Sequence, residues 1–138
     1  MRITSVLALS VLVAGTAAAG YDPIVLNRGW ERVDRFEGDR CKGEVGTNGR
    51  FYVLSASGFA PGERAFLTIT NGDMRPLERI VRIDGRGRWE DYYIPFRYNR
   101  EGGRVAVTIA GENCVIPLGF SWRRAKGWDE PAPLTARP

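Results

Sequence analysis

The chain has 138 residues, of which 43% are hydrophobic and 26% charged, a balance that excludes both a disordered chain and a multi-span membrane protein. Its 20 Lys and Arg residues against 16 Asp and Glu residues give a net charge of only +4, because acids are interleaved with bases. The absence of histidine excludes Ser-His-Asp and Cys-His nucleophile systems, most zinc sites and the commonest general base.

Residues 1–19 have the layout of a secretory signal peptide. Arg2 supplies a positive start, residues 3–13 are mostly apolar, and the segment ends in an Ala-x-Ala pattern at residues 17–19. The apolar stretch is too short for a membrane span, which needs about 20 apolar residues. We expect cleavage after Ala19 and a mature protein that is secreted or periplasmic and does not span the membrane.

Residues 20–39 have no clean hydrophobic period, and we predict that they form an irregular N-terminal arm. Apolar residues such as Trp30 and Phe36 lie among charges in this stretch. They either pack over the edge of the following domain or remain free to bind a partner, and the sequence leaves both alternatives open.

From residue 40 onward, short β-rich segments alternate with turn sequences. Residues 104–110 alternate most cleanly, and Asn-Gly at 48–49 and Asp-Gly at 84–85 are typical turn signals. Pro117, inside the last segment, indicates an edge strand. The seven predicted strands are residues 40–45, 51–57, 64–70, 77–83, 88–94, 104–110 and 114–120.

Strands at this spacing, without a helical period, predict an all-β sandwich or barrel. We therefore expect one β-domain over residues 40–122. Residues 123–138 contain three prolines and few apolar residues, so we predict a mobile C-terminal tail there.

The two cysteines, Cys41 and Cys114, indicate a disulfide if the protein is exported, because oxidising compartments favour pairing of an even cysteine count. The bridge would close a loop of about 74 residues and stabilise the fold by roughly 4 kcal/mol. Two free thiols or an intermolecular bridge are the alternatives.

Two turn sequences resemble those of bacterial immunoglobulin-like modules. Residues 58–63 (GFAPGE) match a GF-x-PGE bend followed by an alternating strand, and residues 83–89 match a D-x-x-G-x-aromatic turn between sandwich strands. The likeness covers residues 40–122, and the layout is similar to many secreted immunoglobulin-like domains, including apoproteins of the neocarzinostatin type. It implies a seven-stranded immunoglobulin-like β-sandwich and assigns no functional residue.

The resemblance also implies a position for the bridge. The cysteines lie on the first and last predicted strands, which can lie side by side in an immunoglobulin-like sandwich. The bridge would then fasten the two edges of the chain and would differ from the inter-sheet bridge of antibody domains.

Arginine and aromatic residues form the candidate binding surface, because arginine beside exposed aromatic rings suits stacking on sugars and binding of carboxylate or phosphate groups. The alternative is that Trp89 and Tyr93, which share strand parity, are core residues and the arginines form an ordinary solvated surface. The candidate binding residues are Arg86, Arg88, Tyr92, Phe96, Arg97, Tyr98 and Arg100.

No catalytic, metal-binding or cofactor-binding pattern is present in the sequence. Glu90 and Asp91 are adjacent and would point to opposite faces of a strand.

The loop at residues 95–103 is rich in residues typical of protein interfaces. We predict an exported, non-enzymatic binding module for a protein or anionic glycan of the cell envelope or exterior, without nucleic acid. A small secreted hydrolase with a carboxylate site and an inhibitor of a secreted hydrolase are the alternatives.

Overall fold

A computed structural model describes residues 29–124, and the predicted signal peptide and most of the predicted tail lie outside this range. Within it, no helix could cross a membrane. The strands are β1 (Glu31–Glu37), β2 (Lys42–Thr47), β3 (Tyr52–Ser57), β4 (Arg64–Asn71), β5 (Leu77–Arg82), β6 (Trp89–Tyr93), β7 (Gly102–Ala110) and β8 (Val115–Arg123).

The strands form two antiparallel four-stranded sheets. The first sheet has the order β1-β2-β3-β6 and the second the order β5-β4-β7-β8. The two sheets pack face to face around one hydrophobic core, which both supply. The prediction of an all-β fold is thus confirmed.

Alternating side chains build the core, as the period of two predicts. In β7, Val105, Val107 and Ile109 point inward and are buried, and Leu67 and Ile116 meet them from β4 and β8. Burying one such side chain contributes roughly 1.5–3 kcal/mol. The regular alternation of β4, β7 and β8 therefore fixes which side of the second sheet faces the core.

The structure has eight strands rather than the predicted seven, because β1 lies within the predicted irregular arm. β1 pairs with β2, and its register shifts between Arg32 and Asp34, which breaks the alternation that a sequence pattern would reveal. The carboxylate of Asp34 accepts a hydrogen bond of 2.7 Å from the Gly119 N–H in β8. This part of the arm is therefore joined to both sheets.

Cys41 and Cys114 form the predicted disulfide, and their Cα atoms are 6.2 Å apart. Cys41 directly precedes β2 in the first sheet, and Cys114 directly precedes β8 in the second. The expectation that the bridge joins strands lying side by side is wrong, because β8 pairs with β7 and packs against β1 and β2 across the sandwich. The bridge therefore ties one sheet to the other.

The two turn motifs contact each other at one end of the sandwich. The Phe59 N–H donates to the carbonyl oxygen of Gly87 at 3.2 Å, and the Gly62 N–H donates to that of Asp84 at 3.1 Å. A Cβ atom at Gly87, where φ is 74°, would lie 2.3 Å from the Phe59 carbonyl oxygen, so only glycine fits. These contacts hold together the connection from β3 to β4 and the connection from β5 to β6.

The C-terminal boundary also differs from the prediction. β8 continues to Arg123, the first residue assigned to the predicted tail, and residues 125–138 lie outside the described residues. Pro117 does lie on an edge strand, as its presence indicated, because β8 ends the order of the second sheet.

Candidate functional site

Six of the seven predicted binding residues lie at the two ends of β6, and Tyr92 lies within this strand. Arg86 and Arg88 lie in and after the turn before β6, whereas the residues from Phe96 to Arg100 lie in the loop after it. A strand of five residues separates the two groups by about 13 Å or more. The structure therefore does not bring all the predicted residues together.

Two of the predicted arginines bind an acidic side chain within the protein. Arg97 Nη1 lies 2.6 Å from Asp73 Oδ1, and Arg100 Nη2 lies 3.2 Å from Asp73 Oδ2. The hydrogen bond from Arg97 is the largest cause that lowers the pKa of Asp73 from its usual value. The charge that these arginines offer to an anionic ligand is thus partly neutralised.

Phe96 and Arg124 anchor the same loop. The Arg124 guanidinium lies over the Phe96 ring, 4.8 Å from its centre, and donates to the carbonyl oxygens of Arg97 at 3.1 Å and Arg100 at 3.2 Å. These contacts make Phe96 a structural support of the loop.

Asn71, at the end of β4, connects the loop to the core. Its buried amide donates to the Pro95 carbonyl oxygen at 2.8 Å and accepts a hydrogen bond of 3.1 Å from Trp122 Nε1. No sequence signal indicated this role, because Asn followed by Gly is typical of a turn. Tyr93, a neighbour of Asn71, packs against the core together with Trp89, as their shared strand parity predicted. Burial raises the pKa of Tyr93.

Two tyrosines of the predicted set are open to solvent. Tyr98, in the loop, is 83% exposed, and Tyr92, on the outer face of β6, is 62% exposed. Arg86 is also exposed, in the turn before β6. These residues remain available to a ligand, but they are spread along one edge of the first sheet.

The carboxylates do not converge on one site. In β6, Asp91 lies opposite the core residue Leu54 and forms an ion pair with Arg79, whereas Glu90 lies opposite Ser55 on the other face. Burial raises the pKa of Glu90. Residues 29–124 contain no cluster of three His, Cys, Asp or Glu side chains that could hold a metal ion.

A groove of about 840 Å³ opens at the end of the sandwich where β7 begins and β8 ends. Its aromatic lining residues, Tyr52 and Trp122, are only 9% and 2% exposed. The rings therefore present little surface on which a sugar or base could stack.

The outer face of the second sheet carries an apolar surface that the sequence analysis did not identify. Phe66, Ile80 and Val115 are 47%, 64% and 54% exposed. We call this surface the apolar face. Its residues are Phe66, Thr68, Thr70, Ile80, Ala106, Thr108, Ala110, Val115, Pro117 and Gly119.

The strand register aligns the apolar face into rows. Ile80 lies opposite Phe66, Phe66 opposite Ala110, and Ala110 opposite Val115, so one row crosses all four strands. The next row runs through Glu78, Thr68, Thr108 and Pro117. At the usual strand spacing each row is about 14 Å long. The alternation of β4, β7 and β8 predicted these outward positions, but their mutual alignment depends on the pairing of distant strands.

No protein-family model and no curated protein matches this sequence. Among solved structures, the fold is similar to the crystal structure of a bromine derivative of BhCBM56, with a TM-score of 0.43 and 13% sequence identity. The match covers 66% of this chain and 99% of that chain.

Proposed function

We propose that this protein is an exported, non-enzymatic immunoglobulin-like module that binds another protein through the apolar face. The observation that carries the proposal is the exposed row formed by Ile80, Phe66, Ala110 and Val115. Glu78, at the β5 edge of the next row, is the one charged residue in these two rows, and depletion of charge at the centre is typical of the buried core of a protein interface. Contiguous exposed apolar patches mark interaction sites, whereas apolar residues scattered singly over a surface are normal.

The strand order supports an immunoglobulin-like module. If β2 to β8 are taken as strands A, B, C, C′, E, F and G, then A-B-E opposes C′-C-F-G, and β1 is an added edge strand. The disulfide between Cys41 and Cys114 supports an oxidising compartment, either the periplasm or the exterior.

Anionic glycans are a weaker candidate for the ligand. Tyr92 and Tyr98 are exposed, which favours stacking, but Arg97 and Arg100 bind Asp73. The apolar face supplies a continuous surface on a rigid sheet, whereas the tyrosines lie on an edge strand and a loop.

Photocrosslinking tests the proposal. A photoreactive amino acid at position 80 should crosslink a distinct protein in the native compartment, whereas the same amino acid at position 98, on the competing loop surface, should not. Ile80→Asp should abolish co-purification of that protein, and the control Tyr98→Ser should preserve it. Crosslinking at position 98 alone, or co-purification unaffected by Ile80→Asp, would refute the proposed surface.

A further inference from the structure

Arginines border the apolar face at both ends. Arg64 and Arg82 lie directly opposite each other on β4 and β5, one row beyond Phe66 and Ile80. At the other end, Arg104 projects over Gly119, and Arg123 lies on the same outer side of β8. The two ends are about 27 Å apart along the strands.

Among residues 29–124, these four arginines have no acidic partner. None of them forms an ion pair with another side chain of the 29–124 region. By contrast, Arg32, Arg79 and Arg97 each bind a carboxylate. Glu78 is the single acidic residue at the outward strand positions of this sheet. The border is therefore strongly positive.

The arrangement at Arg64 and Arg82 favours an anionic ligand. Side chains directly opposite on neighbouring strands have Cβ atoms about 5 Å apart, and like charges at such positions destabilise the sheet. A carboxylate placed between the two guanidinium groups would accept hydrogen bonds from both and remove the repulsion.

We propose that the partner of this module is a protein whose contact surface has an apolar centre bordered by carboxylates. The inference rests on the proposed function and specifies the chemistry of the partner. A second copy of this chain does not meet the requirement, because its own apolar face has the same positive border. The arginines orient an acidic partner, and the apolar face between them supplies the desolvated centre of the contact.

A random copolymer of glutamate and tyrosine is a suitable probe, because it combines carboxylates with apolar rings. NMR titration of the full chain should shift the backbone amides of Phe66, Ile80 and Val115. R64E/R82E should weaken binding by about tenfold or more. The matched control R50E/R75E makes the same change in net charge at exposed arginines elsewhere and should keep the affinity within about twofold.

The variants R64Q/R82Q and R50Q/R75Q repeat the comparison with a smaller charge change, and their thermal unfolding verifies that they fold. Absence of saturable binding by the wild type, or equal weakening in both pairs of variants, overturns the inference. Equal affinity for alginate at the same amides would assign the surface to an anionic polysaccharide instead. If crosslinking at position 80 succeeds while the copolymer fails, the docking face stands and the acidic partner does not.

Discussion

At the scale of single residues, polar side chains fix the connections between strands. The Asp84 carboxylate accepts hydrogen bonds of 2.8 Å from the backbone N–H groups of Arg86 and Arg88. These bonds, with the one from Arg88 as the larger cause, lower the pKa of Asp84 from its usual value of 3.8. Asn71 performs the same task inside the fold, where its buried side chain bonds to Pro95 and Trp122.

Asp84→Asn should lower the stability of the protein at neutral pH. The variant should also lose less stability than the wild type as pH falls. A pKa that is lower in the folded state stabilises the fold above the unfolded value and loses this effect as pH falls through the folded value. The melting temperature of the wild type should therefore exceed that of the variant at pH 7, and the two should converge as pH falls below the usual pKa of 3.8. Thermal unfolding followed by circular dichroism across this range measures the difference, and a gap that persists at low pH would contradict the assigned role of the charge.

Asn71→Leu should reduce the free energy of unfolding by about 3 kcal/mol, because the Pro95 carbonyl and the Trp122 N–H would be left buried without partners. Urea unfolding measures the loss. The control Asn113→Leu, in an exposed turn, should change stability by no more than about 0.5 kcal/mol. Equal effects of the two substitutions would show that the buried amide contributes little.

At the scale of strands, the sequence predicted what depends on local alternation and missed what depends on pairing. β4, β7 and β8 were predictable because alternating valine, leucine and isoleucine leave one choice of inward face. β1 was not predictable, because its bulge breaks the alternation of inward and outward side chains. Its one inward aromatic residue, Phe36, is also only half-buried. The predicted binding residues lie close together in sequence, but the length of β6 separates the arginines before it from the loop residues after it.

Replacing both cysteines in C41A/C114A should reduce the free energy of unfolding by about 4 kcal/mol, because the bridge spans 73 positions and restricts the unfolded chain. Urea unfolding of the oxidised and reduced wild type supplies the comparison. Reduction should bring the wild type to the stability of the variant and leave the variant unchanged. A variant as stable as the oxidised protein would mean that the sheets need no covalent tie.

At the scale of the whole molecule, the sandwich has two different outer surfaces. The first sheet exposes paired charges such as Arg35 with Glu37, whereas the second exposes the apolar face with its positive border. The sequence alone could not distinguish these two outer surfaces, because each sheet combines strands from distant parts of the chain. This asymmetry is the structural basis of the proposed binding through one side only.

The positive border should also control association between copies of this chain. At low ionic strength its charges repel a second apolar face, and salt screens this repulsion because the Debye length falls to about 10 Å at 0.1 M. We expect sedimentation to detect a monomer at about 20 mM NaCl and weak self-association at about 500 mM. Ile80→Asp should remain monomeric at both concentrations, and association of this variant at high salt would place the contact elsewhere.

The edge position of Pro117 limits another kind of assembly. An edge strand of nine residues offers backbone groups to which a foreign strand could add, which is the first step of fibril growth, although in β8 the Gly119 N–H already donates to Asp34. Proline has no N–H to donate, so a ribbon growing outward along β8 would be interrupted near its start. The edge of β8 is therefore protected against strand addition, so contacts through the proposed apolar face on the broad side of the sheet would not extend into amyloid-like stacking.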